Sequence, residues 1–348
     1  MSHRNNFDLL RFAFAFTVFL FHAHVLSGEA ALAPLSRYFS ADFAVKAFFV
    51  VSGYLVLMSY DNSRSLRDYA SKRIRRVYPA YAAIVIACAV LGATITTLPA
   101  TDYFSAGLGA YLAANLVFLN FLAPNLPGVF ATNPFTEVNG ALWTLKVEVM
   151  FYAAVPVIAW LCRRLGTARV LLGLYLASVA YYLALGQLVE SHGSQLYAQL
   201  QRQLPGQLRY FVAGAAGYYF GDALARRWRL IAPIAVAGYV GLPLLGSPAL
   251  EILLKPALLA ALVVYAAVGA RYLGNFGRFG DFSYGIYIVH FPLIQVLVDA
   301  GLFRGNPWLG LVVATAGVLA VAALSWHLVE KPFLRKSSHY VLAEAGRT

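Results

Sequence analysis

Most of the residues able to do chemistry in this chain sit in strongly apolar surroundings. Arg11 and His22 are separated by FAFAFTVFLF, in which Thr17 is the one polar residue. An imidazole exchanges a proton near neutral pH, and a guanidinium fork suits carboxylate or phosphate oxygens. Further along, Lys146 and Glu148 lie in LWTLKVEVMFY, His290 in FSYGIYIVHFPL, and Arg73 and Arg76 in KRIRRVYPAY. Titratable groups inside apolar segments are costly and point to function. Together they offer a base, a carboxylate and cations for an anion. No Gly-rich phosphate loop, zinc-ligand spacing or exposed serine elbow accompanies them. Cys88 and Cys162 lack ligand spacing and suggest neither a disulfide nor a metal site.

Helical geometry relates the first two residues. At about 100° per residue, an 11-residue separation returns to nearly the same face, about 16 Å along the axis. Arg11 and His22 share a stripe, whereas His24 points roughly the opposite way. For either residue alone the bland alternatives are a snorkelling arginine and a histidine hydrogen-bonded between helices. Both on one stripe is harder to dismiss.

The elements that must position these residues are membrane spans. Of 348 residues, 60% are hydrophobic and 12% charged, with mean hydropathy +0.67. A soluble domain carries about 25% charged residues. With about 20 residues per span, ten spans and short loops use most of the chain, and a second soluble catalytic domain is not expected. Apolar segments read at 7–27, 42–60, 77–98, 143–162, 169–188, 207–225, 230–247, 252–270, 282–302 and 308–329. The fold class is therefore an all-α, polytopic bundle of about ten transmembrane helices, a single membrane-embedded domain over 1–336 with a short tail at 337–348.

The net charge of +12 does not make a nucleic-acid groove, because the basic residues fall in short runs between spans. They read as topology signals. Arg64, Arg67, Lys72, Arg73, Arg75 and Arg76 follow the second span. Further runs, at Arg163/Arg164/Arg169, Arg226/Arg227/Arg229, Arg271/Arg278 and Lys331/Arg335/Lys336, recur after every second span. Both termini are expected in the cytoplasm. Residues 103–122 are apolar enough to span, but a crossing there inverts every later loop, so a re-entrant or outer-face helix is expected. A cleaved leader ending at Ala31-Leu32-Ala33 is disfavoured, since Asp8, Arg11, His22, His24 and Glu29 all precede that point.

The spacing Arg11-x10-His22 resembles the first helix of the acyltransferase 3 family of membrane acyltransferases. FFVVSGYL (48–55), KRIRRVYPAY (72–81), LWTLKVEVMFY (142–152), FSYGIYIVHFPL (282–293) and LVEKPFLRK (328–336) are similar to further family segments, in the same order. Two places depart from the pattern. FDLLRF stands where relatives often read LDGLRG, and Lys146 stands beside the acidic position at Glu148.

The resemblance implies transfer of an acyl group, usually acetyl from acetyl-CoA, to a hydroxyl of a carbohydrate or lipid-linked glycan at the outer face of a bacterial inner membrane. It implies acyl-CoA, glycan and membrane lipid as partners, with no nucleic acid. It makes His22 the base, with Glu148 to orient it or to bind acceptor hydroxyls, and Arg73 and Arg76 the anchor for CoA phosphates. Arg11 would lie between anchor and base. His290, Lys146 and Trp143 are expected on the acceptor side. For His290 a satisfied core histidine is the alternative. For Lys146, contact with acceptor, with a carboxylate or with outer water all stay open. A secondary transporter or flippase of a glycan precursor is the rival reading, because a transport path also uses buried Arg, His, Glu and Lys. No two halves look alike, which weakens it.

Overall fold

The computed structural model describes residues 5–335 and residue 338. The expected tail at 337–348 lies, apart from residue 338, outside the described residues. All regular structure among them is helical. The protein is an all-α, polytopic membrane protein. Its main helices are α1 (Phe7–Ser27), α2 (Ala41–Asp61), α3 (Leu66–Ile95), α4 (Ala106–Leu116), α5 (Trp143–Leu165), α6 (Thr167–His192), α7 (Leu204–Tyr219), α8 (Trp228–Gly241), α9 (Pro248–Val264), α10 (Phe282–Asp299) and α11 (Pro307–Ser325).

Eight of the ten expected segments are helices long and apolar enough to cross a bilayer. The other two are α7, with 16 residues, and α10, with 18. Residues 103–122 hold no helix of spanning length. The stretch breaks into the end of a short helix at Ala100–Tyr103, then α4, then a 3₁₀ turn at Asn120–Leu122. The 11 residues of α4 cover about 16 Å, half of a hydrocarbon core about 30 Å thick. Phe118 takes a positive φ of 63° after α4. Asn115 closes that turn, donating to the carbonyls of Tyr111 and Ala123 at 2.9 Å each, while its own carbonyl accepts from Tyr81 Oη at 2.7 Å.

The chain divides into two compact units. The first comprises Met1–Leu10, Val45–Ala70 and Val147–Asn275; the second comprises Arg11–Ala44, Ser71–Lys146 and Phe276–Thr348. The first unit contains the small-residue seam suggested by FFVVSGYL. A Cβ on Gly53 of α2 would collide with the Phe211 carbonyl of α7, and one on Gly214 of α7 would collide with the Val50 carbonyl of α2. Mutual glycines thus let two backbones touch, as small residues do between membrane helices. Phe151 of α5 stacks on Phe211 at 4.4 Å and meets Phe49 edge-on at 5.4 Å. Asn6 ties the chain start to the end of α9, donating to the Ala266 and Arg271 carbonyls and accepting from the Leu273 amide at 2.9 Å.

In the second unit, α10 and α11 pack through Gly285, whose added Cβ would lie 3.0 Å from the Ala322 Cα. Asp281 caps α10 by accepting from the Ser283 amide at 3.1 Å, a carboxylate at the helix end where the dipole favours it. Its neighbour Gly280 has φ +112°, and a Cβ there would strike the Trp326 indole. Glycine is required twice over, for the backbone angle and for the close approach. After α11 the helix widens into a π-helical segment at Trp326–Glu330. Such segments often mark functional positions. This one carries Glu330 into the cluster described next.

Candidate active site

With one exception, the residues singled out in the sequence fall in the second unit: Arg11, His22, Arg73, Arg76, Trp143, Lys146 and His290. Glu148 is in the first. The structure gathers four of them, Arg11, Arg76, His22 and His290, on two cross-links between α1 and α10.

The first cross-link is ionic. Arg11 Nη1 and Arg76 Nη2 both donate to Asp281 Oδ2, and Arg76 Nη1 lies 3.5 Å from Glu330 Oε2. Asp281 and Glu330 are almost wholly buried. Ser283 donates through both its amide and its hydroxyl to Asp281 Oδ1, and Ser325 Oγ donates to Glu330 Oε1 at 3.1 Å. Burial works against charge on Asp281, but the Arg11 and Arg76 guanidiniums and the Ser283 bonds outweigh it and hold its carboxyl well below the usual range. Arg76 also lies 5.8 Å from the Tyr284 ring and 6.0 Å from Trp326. Residues from α1, α3, the α10 cap and the π-segment thus meet in one ionic cluster.

The second cross-link is a pair of imidazoles. His22 Nδ1 and His290 Nε2 are 3.0 Å apart, with ring centroids at 5.1 Å and planes 28° apart. His290 Nδ1 is 3.1 Å from the Ile286 carbonyl, one turn earlier on α10. His290 has no exposed surface, whereas His22 is half-buried. Phe291 meets His22 at 5.5 Å, and Tyr287 lies 5.8 Å from His290. The Tyr287 hydroxyl pairs with Thr144 Oγ1 at 2.6 Å, and Tyr284 Oη donates to the Val77 carbonyl at 2.9 Å.

The order Arg11–Asp281 then His22–His290 means that α1 and α10 run parallel. Eleven residues separate the cross-links on α1 and nine on α10, about 16 and 13 Å of helix. The predicted stripe is therefore the face that α1 turns to α10.

The remaining expected residues have other surroundings. Lys146 Nζ stands 4.3 Å above the Phe121 ring, a cation–π contact from the 103–122 segment that none of its anticipated partners included. Glu148 Oε1 accepts from Ser52 Oγ at 3.3 Å and from Tyr152 Oη. Two residues apart on α5, Lys146 and Glu148 face different ways. Trp143 opens α5 and is half-buried, and Arg73 is half-buried one turn before Arg76. His290, expected on the acceptor side, has both ring nitrogens against protein atoms. His24 Nδ1 is buried and has no hydrogen-bond partner among the described residues.

Sequence reasoning missed Asp281 and Glu330. An acid just ahead of an apolar run, and another inside LVEKPFLRK, were the available signals. It also missed Arg209 in the first unit, fully buried on α7. Arg209 lies 3.9 Å from the Tyr182 ring and donates to the Gly206 carbonyl.

Comparison with known proteins identifies the family. The family model described as an acyltransferase domain, that of acyltransferase family 3, matches residues 4–328. The chain belongs to this family. It is a membrane acyltransferase. It is 29% identical to nodulation protein 10 of Rhizobium leguminosarum bv. viciae, over 96% of this chain and 94% of that protein. It is also 29% identical to an O-acetyl transferase of Shigella phage Sf6, over 97% and 98%. Exopolysaccharide production protein ExoZ of Rhizobium meliloti (strain 1021) is 28% identical, over 84% and 89%. No solved structure matches the chain.

Proposed function

We propose that this acyltransferase moves an acetyl group from cytoplasmic acetyl-CoA to a hydroxyl of a carbohydrate or lipid-linked glycan at the outer face of a bacterial inner membrane. The observation that carries the reading is the His22–His290 contact at 3.0 Å. It leaves the second ring nitrogen of a half-buried histidine for a proton, on the helix that also carries Arg11. Relatives named for O-acetyl transfer and exopolysaccharide production support the choice of acyl group and acceptor.

In this reading His22 takes the acceptor's hydroxyl proton as the oxygen bonds to the acyl carbon. The carbon–sulfur bond then breaks, and the departing CoA thiolate recovers the proton from the imidazolium. A neutral imidazole suits the first step and its protonated form the last. Arg73, Lys72 and Arg75 supply the cations for the CoA phosphates, as arginine forks and lysine point charges do. Arg76 and Arg11 are braced by Asp281 and Glu330, so they serve better as fixed partial positive charge beside the donor than as its main phosphate ligands. The six basic residues at 64–76 support a cytoplasmic position for that end of the site, by the positive-inside rule. His22, near the other end of α1, then lies toward the outer face.

The test is mass spectrometry of the surface polysaccharide from cells with and without the protein, and with His22→Ala. Acetyl groups present only with the wild-type chain support the reading. An unchanged acetyl content accompanied by loss of glycan export would favour a transporter.

A further inference from the structure

We propose that His290 is a positioning residue: its buried contact locks His22 into the tautomer that carries hydrogen on Nδ1, which makes His22 Nε2 the proton-accepting atom. The tautomer follows from hydrogen-bond bookkeeping. A carbonyl oxygen only accepts, so at 3.1 Å from the Ile286 carbonyl the His290 Nδ1 must bear the hydrogen. A neutral imidazole carries one ring hydrogen, so His290 Nε2 is a bare lone pair. That lone pair faces His22 Nδ1 at 3.0 Å, and two lone pairs at that distance repel. His22 Nδ1 must therefore be the donor, and its Nε2 is left unprotonated.

The arrangement is a relay of orientation rather than of protons. Ile286 fixes His290, and His290 fixes His22. When His22 Nε2 receives the acceptor's proton, Nδ1–H keeps its partner, and a hydrogen bond from a charged donor is the stronger kind. His290 does for His22 what a buried acid does for a triad histidine, but without a charge. A neutral partner suits full burial, because an isolated carboxylate there would be costly. Phe291 lies 5.5 Å from the His22 ring and Tyr287 5.8 Å from the His290 ring. The claim about the base atom rests on the acyl-transfer reading; the claim about the tautomer does not.

Two measurements test it. The first is ¹⁵N solid-state NMR of histidine-labelled wild-type protein in lipid bilayers, with His22 assigned by difference from His22→Gln. The expected signature is a protonated Nδ1 and a pyridine-like Nε2. An isolated imidazole prefers hydrogen on Nε2, so finding that form at His22 overturns the proposal, whatever reaction the protein catalyses. The second compares His290→Gln with His290→Leu. Gln places a carbonyl oxygen near the position of Nε2 and can still accept from His22, whereas Leu fills space alone. Leu should lower kcat about 100-fold or more with donor and acceptor KM within about threefold, and Gln should recover to within about tenfold of wild type. Equal losses in the two variants, or wild-type kcat in the Leu variant, overturn the positioning role.

Discussion

The two cross-links between α1 and α10 use opposite physics. Around Asp281, four charged side chains from four segments meet in a nearly dry cluster. At His22–His290, two imidazoles meet nitrogen to nitrogen at 3.0 Å. The ionic cross-link is expensive to desolvate and therefore unforgiving: removing one partner strands a buried charge, at about 3–5 kcal/mol. The imidazole cross-link contributes about 1 kcal/mol to stability. On the proposed mechanism the first fixes geometry and the second exchanges a proton, so chemical and structural damage should separate between them.

The largest effect should fall on activity at the neutral cross-link. His22→Ala is expected to lower acetyl transfer about 1,000-fold or more while shifting the thermal unfolding midpoint by no more than a few degrees. Acetylation assays alongside unfolding of purified protein in detergent check both halves. A large loss of stability with the loss of activity would collapse the distinction between the two cross-links.

Asp281→Asn reverses the pattern. Arg11 and Arg76 lose their shared carboxylate, and the α10 cap weakens. A destabilisation of about 3–5 kcal/mol should appear in denaturant or thermal unfolding. Glu330→Gln should cost less, because its Arg76 contact is longer at 3.5 Å. Equal costs at the two positions would mean that the cluster is not centred on Asp281.

Gly280→Ala sharpens the same point without touching charge. A positive φ and a clash with Trp326 should together cost about 1–3 kcal/mol, read as a lower unfolding midpoint. Donor binding is examined at Arg73, with the unfolding midpoint as the control for any structural contribution of its side chain. Arg73→Ala should raise the acetyl-CoA KM about tenfold, the worth of one charge-assisted hydrogen bond. Unchanged donor KM would move the phosphate anchor away from this turn of α3.

What the sequence disclosed follows the reach of each signal. The Arg11–His22 stripe was legible because helical periodicity is local, and the eight long spans because hydropathy is. The parity of basic loops correctly kept 103–122 from being counted as a span. The α1–α10 contact was not legible, since no local pattern says which helix a stripe will face. For the same reason Lys146 was not matched to Phe121, nor His22 to His290. Asp281 reads in sequence as one acid in a glycine-flanked loop, and only packing turns it into the centre of an ion cluster. Glu330 lay inside a segment already recognised, but its direction is set by a π-helical segment that composition does not announce.

The smallest expected effect is the sharpest control. His24 has the same side chain as His22, on the same helix, two residues on and about 200° round it. His22 Nδ1 has a partner at 3.0 Å; His24 Nδ1 is buried without one among the described residues. Deleting a buried polar atom that has no partner removes a desolvation cost rather than a bond. His24→Ala should therefore leave acetyl transfer within about twofold of wild type, with an unfolding midpoint unchanged or slightly higher. Parallel assays of His22→Ala and His24→Ala at matched expression decide it. If the two fell equally, activity would depend on histidine anywhere near the end of α1, and the face that α1 turns to α10 would lose its claim to the chemistry.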